Sequence, residues 1–364
     1  MKIAKVETIA LKVPFEFGGA RGGWGGRDWV TNDILLVKVE TDSGITGWGE
    51  AFCYSCLEAT EAAVLQMIVP NVIGRDAGDI ARLSRDVQQS LHLFGRYGIT
   101  LFALSGVDIA LWDIAGKAAG LPLHRLLGGT GRAGIPAYAS LFKYGDREQV
   151  AARVRLALDQ GYRHIKLHEK TEPEVRAARE AAGSGVPLMV DTNCPWTPEE
   201  ARRMTLRLKP YDLHWLEEPI FPPEDFRSLA RLRQETGVPL AAGENACTAF
   251  QFHDMLTLGA VDYAQPSVTK VGGISEFLKV AALAEAHGIP VMPHSPYFGP
   301  GFLATLQLMA AHPTPGGLVE RFHLDLEASL YGDWIAPRDG AFGIPPGPGL
   351  GLDPDPAVIK TYRV

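Results

Sequence analysis

Asp191, Glu217 and Glu244 follow one another at intervals of 26 and 27 residues, each at the end of a short apolar run: PLMVD, LHWLEE and PLAAGE. That interval is one strand-plus-helix unit, so three such strands side by side bring the carboxylates together. Left unpaired in a protein interior, the cluster would be costly. A hard divalent cation with oxygen ligands resolves it, and Mg²⁺ fits three carboxylates plus water and substrate oxygens. Any one of these acids alone could merely cap a helix or pair with a lysine; three in register point to a metal centre. Asn193 and Asn245, just past two ligand positions, are placed to orient ligands or substrate. Glu218 points away from Glu217 by strand alternation and reads as support from behind.

Other strand ends carry groups that move protons. Lys166 lies in the apolar run HIKL, where a neighbouring cation would push its pKa down and make it a general base. The bland reading is a lysine salt-bridged to a carboxylate. His168, two residues on, shares its face and reads first as a substrate contact. His294 in MPHSPYFGPG is expected across the barrel from Lys166, so that the two flank a substrate on opposite faces. Glu320, in GLVE, could hydrogen-bond an enolate oxygen if protonated, or pair with Arg321 or Lys270.

These residues need a scaffold that puts strand ends in a ring. From about residue 133 the chain alternates short apolar strands (135–139, 164–167, 187–191, 213–218, 239–244, 262–266, 289–294 and 317–320) with amphipathic helices. The helices fall near 146–160, 172–182, 198–209, 224–236, 249–258, 274–287 and 301–311. Eight strands alternating with helices specify a parallel α/β barrel, whose active sites lie at the carboxyl ends of the strands. A doubly wound sheet would want a Gly-rich phosphate loop after an early strand, and none follows. The stretch 343–354 is Gly/Pro-rich and not helical, so the barrel is expected to lack its last helix and to read (β/α)7β.

The first third is different. Strands at 2–13 and 33–41, a hairpin turn at Asp42-Ser43-Gly44, and helices at 58–69, 79–91 and 100–119 describe an α+β unit. The expected division is a capping domain at 1–128, a barrel at 129–322 and a segment at 323–364 that returns to the capping domain. The Gly-rich stretch 17–29 reads as a flap carrying Trp24, Arg27 and Trp29 over a ligand, rather than as a plain surface loop.

Bulk properties exclude several classes. The 364 residues are 46% hydrophobic and 21% charged, with Gly 40 and Pro 26, as turns between short elements require. A net charge of −7 without a basic block argues against nucleic acid or an anionic membrane as partner. Cys53, Cys56, Cys194 and Cys247 are too scattered for a disulfide scaffold, and the Cys53-x-x-Cys56 pair lacks a redox or zinc context. The N-terminus alternates like a strand without a signal-peptide pattern, and no stretch reads as a membrane span of roughly 18 apolar residues. A soluble, cytoplasmic protein is expected.

Taken together, the motifs TDSGITGWGEA (41–51), GVDIALWDIAGKAAGLPLHRLLGG (106–129), VDTN (190–193), WLEEP (215–219), GEN (243–245), QPSVTKVGGI (265–274) and PH (293–294) resemble the mandelate racemase/muconate lactonizing enzyme family of the enolase superfamily. The resemblance runs essentially end to end. It implies Mg²⁺ held by Asp191, Glu217 and Glu244, a strand-two base at Lys166, a strand-seven acid/base at His294 and an enolate stabiliser at Glu320. It also implies a homo-oligomer. Two positions depart from the family pattern. The family's Lys-x-Lys is here Lys166-Ile-His168, and the strand-six Asp or Lys is replaced by Ser267, so His294 lacks its usual carboxylate partner. Lys270 is a possible substitute.

The expected reaction is abstraction of the proton α to a substrate carboxylate, giving an enediolate. Expulsion of a β-hydroxyl then makes a sugar-acid dehydratase; reprotonation on the other face makes a racemase or epimerase, and a carboxylate cycloisomerase is the further alternative. Trp24, Arg27, His168 and Tyr297 are the expected specificity contacts. A Schiff-base aldolase on Lys166 is disfavoured by the three converging acids, and a metal hydrolase by the lack of an HxH on the first barrel strand. An inactive scaffold draws its support from Ser267.

Overall fold

The computed structural model describes residues 1–20, 28–131, 134–312 and 314–364. Three strands open the chain: β1 (Ile3–Glu16), β2 (Thr31–Thr41) and β3 (Thr46–Ala51), antiparallel and in that order. The expected hairpin joins β2 to β3, with Gly44 at φ +86°, a conformation glycine takes without steric cost. The 21-residue helix Ile99–Ala119 lies across β3. Gly47 and Gly49 permit that approach, since a Cβ on Gly49 would sit 1.9 Å from the Gly106 carbonyl oxygen. This helix is long and apolar enough to cross a membrane, which corrects the expectation that no stretch qualifies; 72% of its apolar window is buried inside the protein. The helix expected at 58–69 is interrupted by a π turn at Val64–Ile68.

The remainder is a modified TIM barrel. Strands β4 (Ile135–Ser140), β5 (Ile165–Leu167), β6 (Leu188–Asp191), β7 (Leu213–Glu217), β8 (Leu240–Ala242), β9 (Tyr263–Ala264) and β10 (Val319–Phe322) form a curled parallel sheet in the order β10-β4-β5-β6-β7-β8-β9. The barrel helices fall within two residues of their expected limits. The strand expected at 289–294 is a correction: it is reduced to one parallel bridge, Val291 to Ala264, flanked by hydrogen bonds from Met292 N–H to Ala264 O (2.9 Å) and from Ala264 N–H to Pro290 O (3.0 Å). Pro290 and Pro293 explain it, because neither has an N–H to extend a ladder.

Strand alternation builds the interior in layers. Tyr138, Met189, Trp215, Ala241, Met292 and Leu318 fill the barrel as an apolar plug. Two residues further along their strands, on the same inward face, come Ser140, Asp191 and Glu217. These polar groups therefore lie in the layer above the plug, and Lys166, level with Met189, reaches up to them.

After β10 the chain pairs β11 (Asp325–Leu326) with β1 and lays β12 (Ala341–Phe342) antiparallel against β4. Arg363 bridges to Leu11 of β1. The stretch 343–354 is non-helical as expected, but a seven-residue helix, Pro356–Tyr362, follows it, capped by Asp355, whose Oδ1 accepts from Ala357 N–H (2.7 Å).

Candidate active site

Register alone accounts for the first contacts. Asp191 of β6 and Glu217 of β7 are direct ladder partners, and Lys166 of β5 pairs with Met189 two residues before Asp191. One oxygen each from Asp191, Glu217 and Glu244 lie within 4.8 Å of one another. Three hard carboxylate oxygens, with no sulfur or ring nitrogen among them, fit a hard divalent cation. His168 Nε2 stands 3.4 Å from Asp191 Oδ2 and His294 Nε2 2.7 Å from Glu244 Oε2, so imidazoles rest on the outer carboxylates of the cluster.

Lys166 is fully buried. Its Nζ lies 3.0 Å from Glu217 Oε1, 3.0 Å from Glu320 Oε1 and 3.3 Å from Asp191 Oδ2. Burial works to lower its pKa, but the charges of Glu217 and Glu320, with Tyr138 and Asp191 behind them, hold it well above the ordinary lysine value. The expected depression depends on a cation beside Lys166; among protein groups alone, the surrounding carboxylates favour its ammonium form. At Glu320 burial pushes the pKa up, yet the charges of Lys166 and His294 bring it below the usual carboxylate value. It pairs with Lys166 and accepts from Ser295 N–H (3.1 Å), not with Arg321 or Lys270.

The three clustered carboxylates diverge in character. Burial raises Asp191, but Lys166, His168 and the Asn193 N–H (2.9 Å) more than offset it and leave the group strongly acidic. Glu217 is pushed well up by burial and by Asp191, against Lys166, while Trp215 Nε1–H donates to its Oε2 (2.9 Å). Glu244 is raised by burial but drawn down to about 2 by His294 and Lys270.

Glu218 is a further correction. Alternation predicts that it faces away, but β7 ends at Glu217 and Glu218 sits in the left-handed region at φ +45°, as do Asn193 and Cys194 at φ +51°. The turn brings its carboxyl to the cavity, where it accepts from Asn245 Nδ2 (2.7 Å) and from the Cys194 thiol (3.3 Å). Burial and the charges of Glu244 and Asp191 raise it to about 8. Such strained positions cluster at functional sites.

Above the cluster is a cavity of about 510 Å³ whose walls include His168, Asn193, Glu244, Asn245, Lys270 and His294. Lys270 Nζ hangs 4.9 Å from the centre of the Phe52 ring and reaches Asn245 Oδ1 at 3.5 Å, so it does not stand in for the missing partner of His294. That place is taken by Ser267 and Tyr297: His294 Nδ1 is 3.2 Å from Ser267 Oγ and 3.4 Å from the Tyr297 hydroxyl. Tyr297, expected to touch substrate, is 1% exposed and lies behind the histidine instead. Trp24 and Arg27 lie outside the described residues.

Sequence reasoning placed Trp29 over a ligand but missed the rest of the opposite wall. Trp29, Phe52, Tyr54 and Phe102 of the first third meet Phe322 of β10 across the cavity. Trp29 packs edge-on to Phe322 (5.7 Å), which stacks on His168 (5.9 Å), and the Tyr54 hydroxyl donates to Pro296 O (2.7 Å). Only the tertiary fold brings these aromatics over the strand ends; besides Trp29 in the Gly-rich stretch, the aromatic content of AFCYSC is the sequence signal for them.

Residues 28–128 match the mandelate racemase / muconate lactonizing enzyme N-terminal domain, and residues 149–358 the enolase C-terminal domain-like family. The arabinonate dehydratase of Saccharolobus solfataricus is 32% identical over 91% of this chain and 91% of its own. The D-galactarolactone cycloisomerase of Agrobacterium fabrum is 33% identical over 100% of this chain and 99% of its own. The crystal structure of L-talarate dehydratase from Polaromonas sp. JS666, complexed with Mg and L-glucarate, superposes with a TM-score of 0.82 at 30% identity, covering 100% of this chain and 97% of that one. Matched end to end in sequence and in fold, the chain belongs to the mandelate racemase/muconate lactonizing enzyme family of the enolase superfamily.

Proposed function

We propose that this protein is a Mg²⁺-dependent lyase that dehydrates a sugar acid by removing the proton α to its carboxylate. The observation that carries the reading is the convergence of Lys166 with the carboxylate cluster at the floor of the cavity, with His294 in its wall. Asp191, Glu217 and Glu244 are the residues that would hold Mg²⁺. Bound there, the ion would draw electron density from the substrate carboxylate and offset the negative charge that keeps Lys166 protonated.

The rest falls to the chain. Lys166, as the free amine, takes the α-proton, leaving an enediolate. The electron pair of the broken C–H bond then forms the C=C bond as the β C–O bond breaks. His294 delivers a proton to the departing oxygen, which leaves as water, and the enol tautomerises to a 2-keto acid. Glu320 holds the Lys166 ammonium after transfer. His168, Asn193 and Lys270 contact the substrate's oxygens, and the aromatic wall excludes water. The same reading divides the chain into a capping domain at 1–128, a barrel at 129–322 and a returning segment at 323–364, a division supported by the pairing of β11 with β1.

Cycloisomerisation is the second reading, favoured by the full-length likeness to a sugar-lactone cycloisomerase. It uses the same first step, with the proton of His294 going to a ring oxygen. The two are told apart by incubating the enzyme and Mg²⁺ with acid sugars and their lactones in D₂O and following them by NMR. A 2-keto product one water lighter means dehydratase, and an isomer of unchanged mass means cycloisomerase. No α-proton exchange with any of them removes both.

A further inference from the structure

We infer that Ser267 and Tyr297 are positioning residues that together replace a carboxylate behind His294, an inference that rests on His294 being the proton donor proposed above. The three side chains form a closed set. Ser267 Oγ and the Tyr297 hydroxyl both reach His294 Nδ1, at 3.2 and 3.4 Å, and hydrogen-bond to each other. The Tyr297 ring stands edge-on to the imidazole, 6.0 Å between centroids and 87° between planes. Ser267 and Tyr297 are 0% and 1% exposed, so water does not compete for the contact. With Nδ1 held from behind, Nε2 is directed to Glu244, which shares the cavity wall with His294.

No carboxylate touches Nδ1 among the described residues, and residues 21–27, 132–133 and 313 include no Asp or Glu that could supply one. The substitution changes the chemistry of the hold. A carboxylate only accepts hydrogen bonds, so it requires a proton on Nδ1. A hydroxyl both donates and accepts, and Tyr297 can reverse the direction of the Ser267 hydroxyl by reversing its own. The pair therefore grips the ring whichever nitrogen carries the proton.

The test uses Tyr297→Phe, which keeps the ring and removes the oxygen, and Ser267→Ala, each with Mg²⁺. Product formation should fall about 10- to 100-fold with KM nearly unchanged, while α-proton exchange by Lys166 persists near the wild-type rate. Equal losses of exchange and product would mean a merely structural role and would overturn the inference. A second readout needs no substrate. In protein labelled with ¹⁵N-histidine, the His294 Nδ1 resonance, assigned with His294→Gln, should move in both variants; an unmoved resonance overturns the inference even if activity falls. If wild type exchanges no α-proton yet Nδ1 moves, the proposed reaction fails while the positioning stands.

Discussion

Lys166 and Glu320 belong to strands on either side of β4, and their side chains meet at 3.0 Å next to Tyr138, whose ring centre is 5.6 Å from Nζ. The residue proposed as base and the carboxylate expected beside the enolate thus face each other at salt-bridge distance. In the proposed reaction Glu320 holds the Lys166 ammonium after transfer, and His294 keeps the acid duty expected of it.

Lys166→Met should destabilise the protein most when no divalent cation is present. Three buried carboxylates then lose their shared ammonium, and breaking such a buried pair costs about 3–5 kcal/mol. Thermal melts with EDTA and with Mg²⁺ check this. The deficit relative to wild type should narrow with Mg²⁺; a variant as stable as wild type in EDTA contradicts the account.

Asp191→Asn should abolish the link between Mg²⁺ and stability. A ligand held only by the folded state at 100 times its Kd adds about 2.7 kcal/mol, read as a rise of several degrees in Tm. Wild type should show that rise and the variant should show little of it. An identical rise in both would place the cation elsewhere.

Glu50, at the end of β3, caps a barrel helix: its Oε2 accepts from Gly301 N–H (2.8 Å) at the start of the helix Pro300–Ala311. Burial lifts its pKa to about 8, with the Gly301 and Gly299 N–H groups pulling the other way. A folded pKa above the unfolded one gives a stabilisation present in full below about pH 4.3 and lost as pH climbs toward 8. Glu50→Gln should remove that loss, so its Tm should exceed that of wild type by several degrees above pH 8 and the advantage should vanish near pH 5. Parallel Tm profiles across that range would show that Glu50 does not titrate in the fold.

The carboxylate cluster was legible because one carboxylate falls at each of three successive strand ends, and strand period two then fixes which neighbour faces inward. Lys166 and His294 follow from the same rule. Glu218 was misread because its left-handed turn ends the alternation on which its orientation was inferred. The strand at 289–294 was overextended because its apolar pattern outweighed two prolines that cannot donate. The contact between Lys166 and Glu320 was beyond reach, since it depends on how side chains from the two strands flanking β4 pack. The hydroxyl pair behind His294 is half visible in the sequence: Ser267 stands where the family pattern has an acid, but nothing in the sequence shows that Tyr297, three residues past the histidine, is buried behind it.

The central claim is that Lys166 removes an α-proton at this site, and isotope exchange tests it most directly. Wild type and Lys166→Ala, each with Mg²⁺ in D₂O, are incubated with the acid sugar that wild type turns over, and the α-proton signal is followed by NMR. The account predicts that wild type washes the signal out while Lys166→Ala, folded by its melting curve, loses at least about 10³-fold in exchange rate. Exchange by Lys166→Ala at the wild-type rate would contradict it.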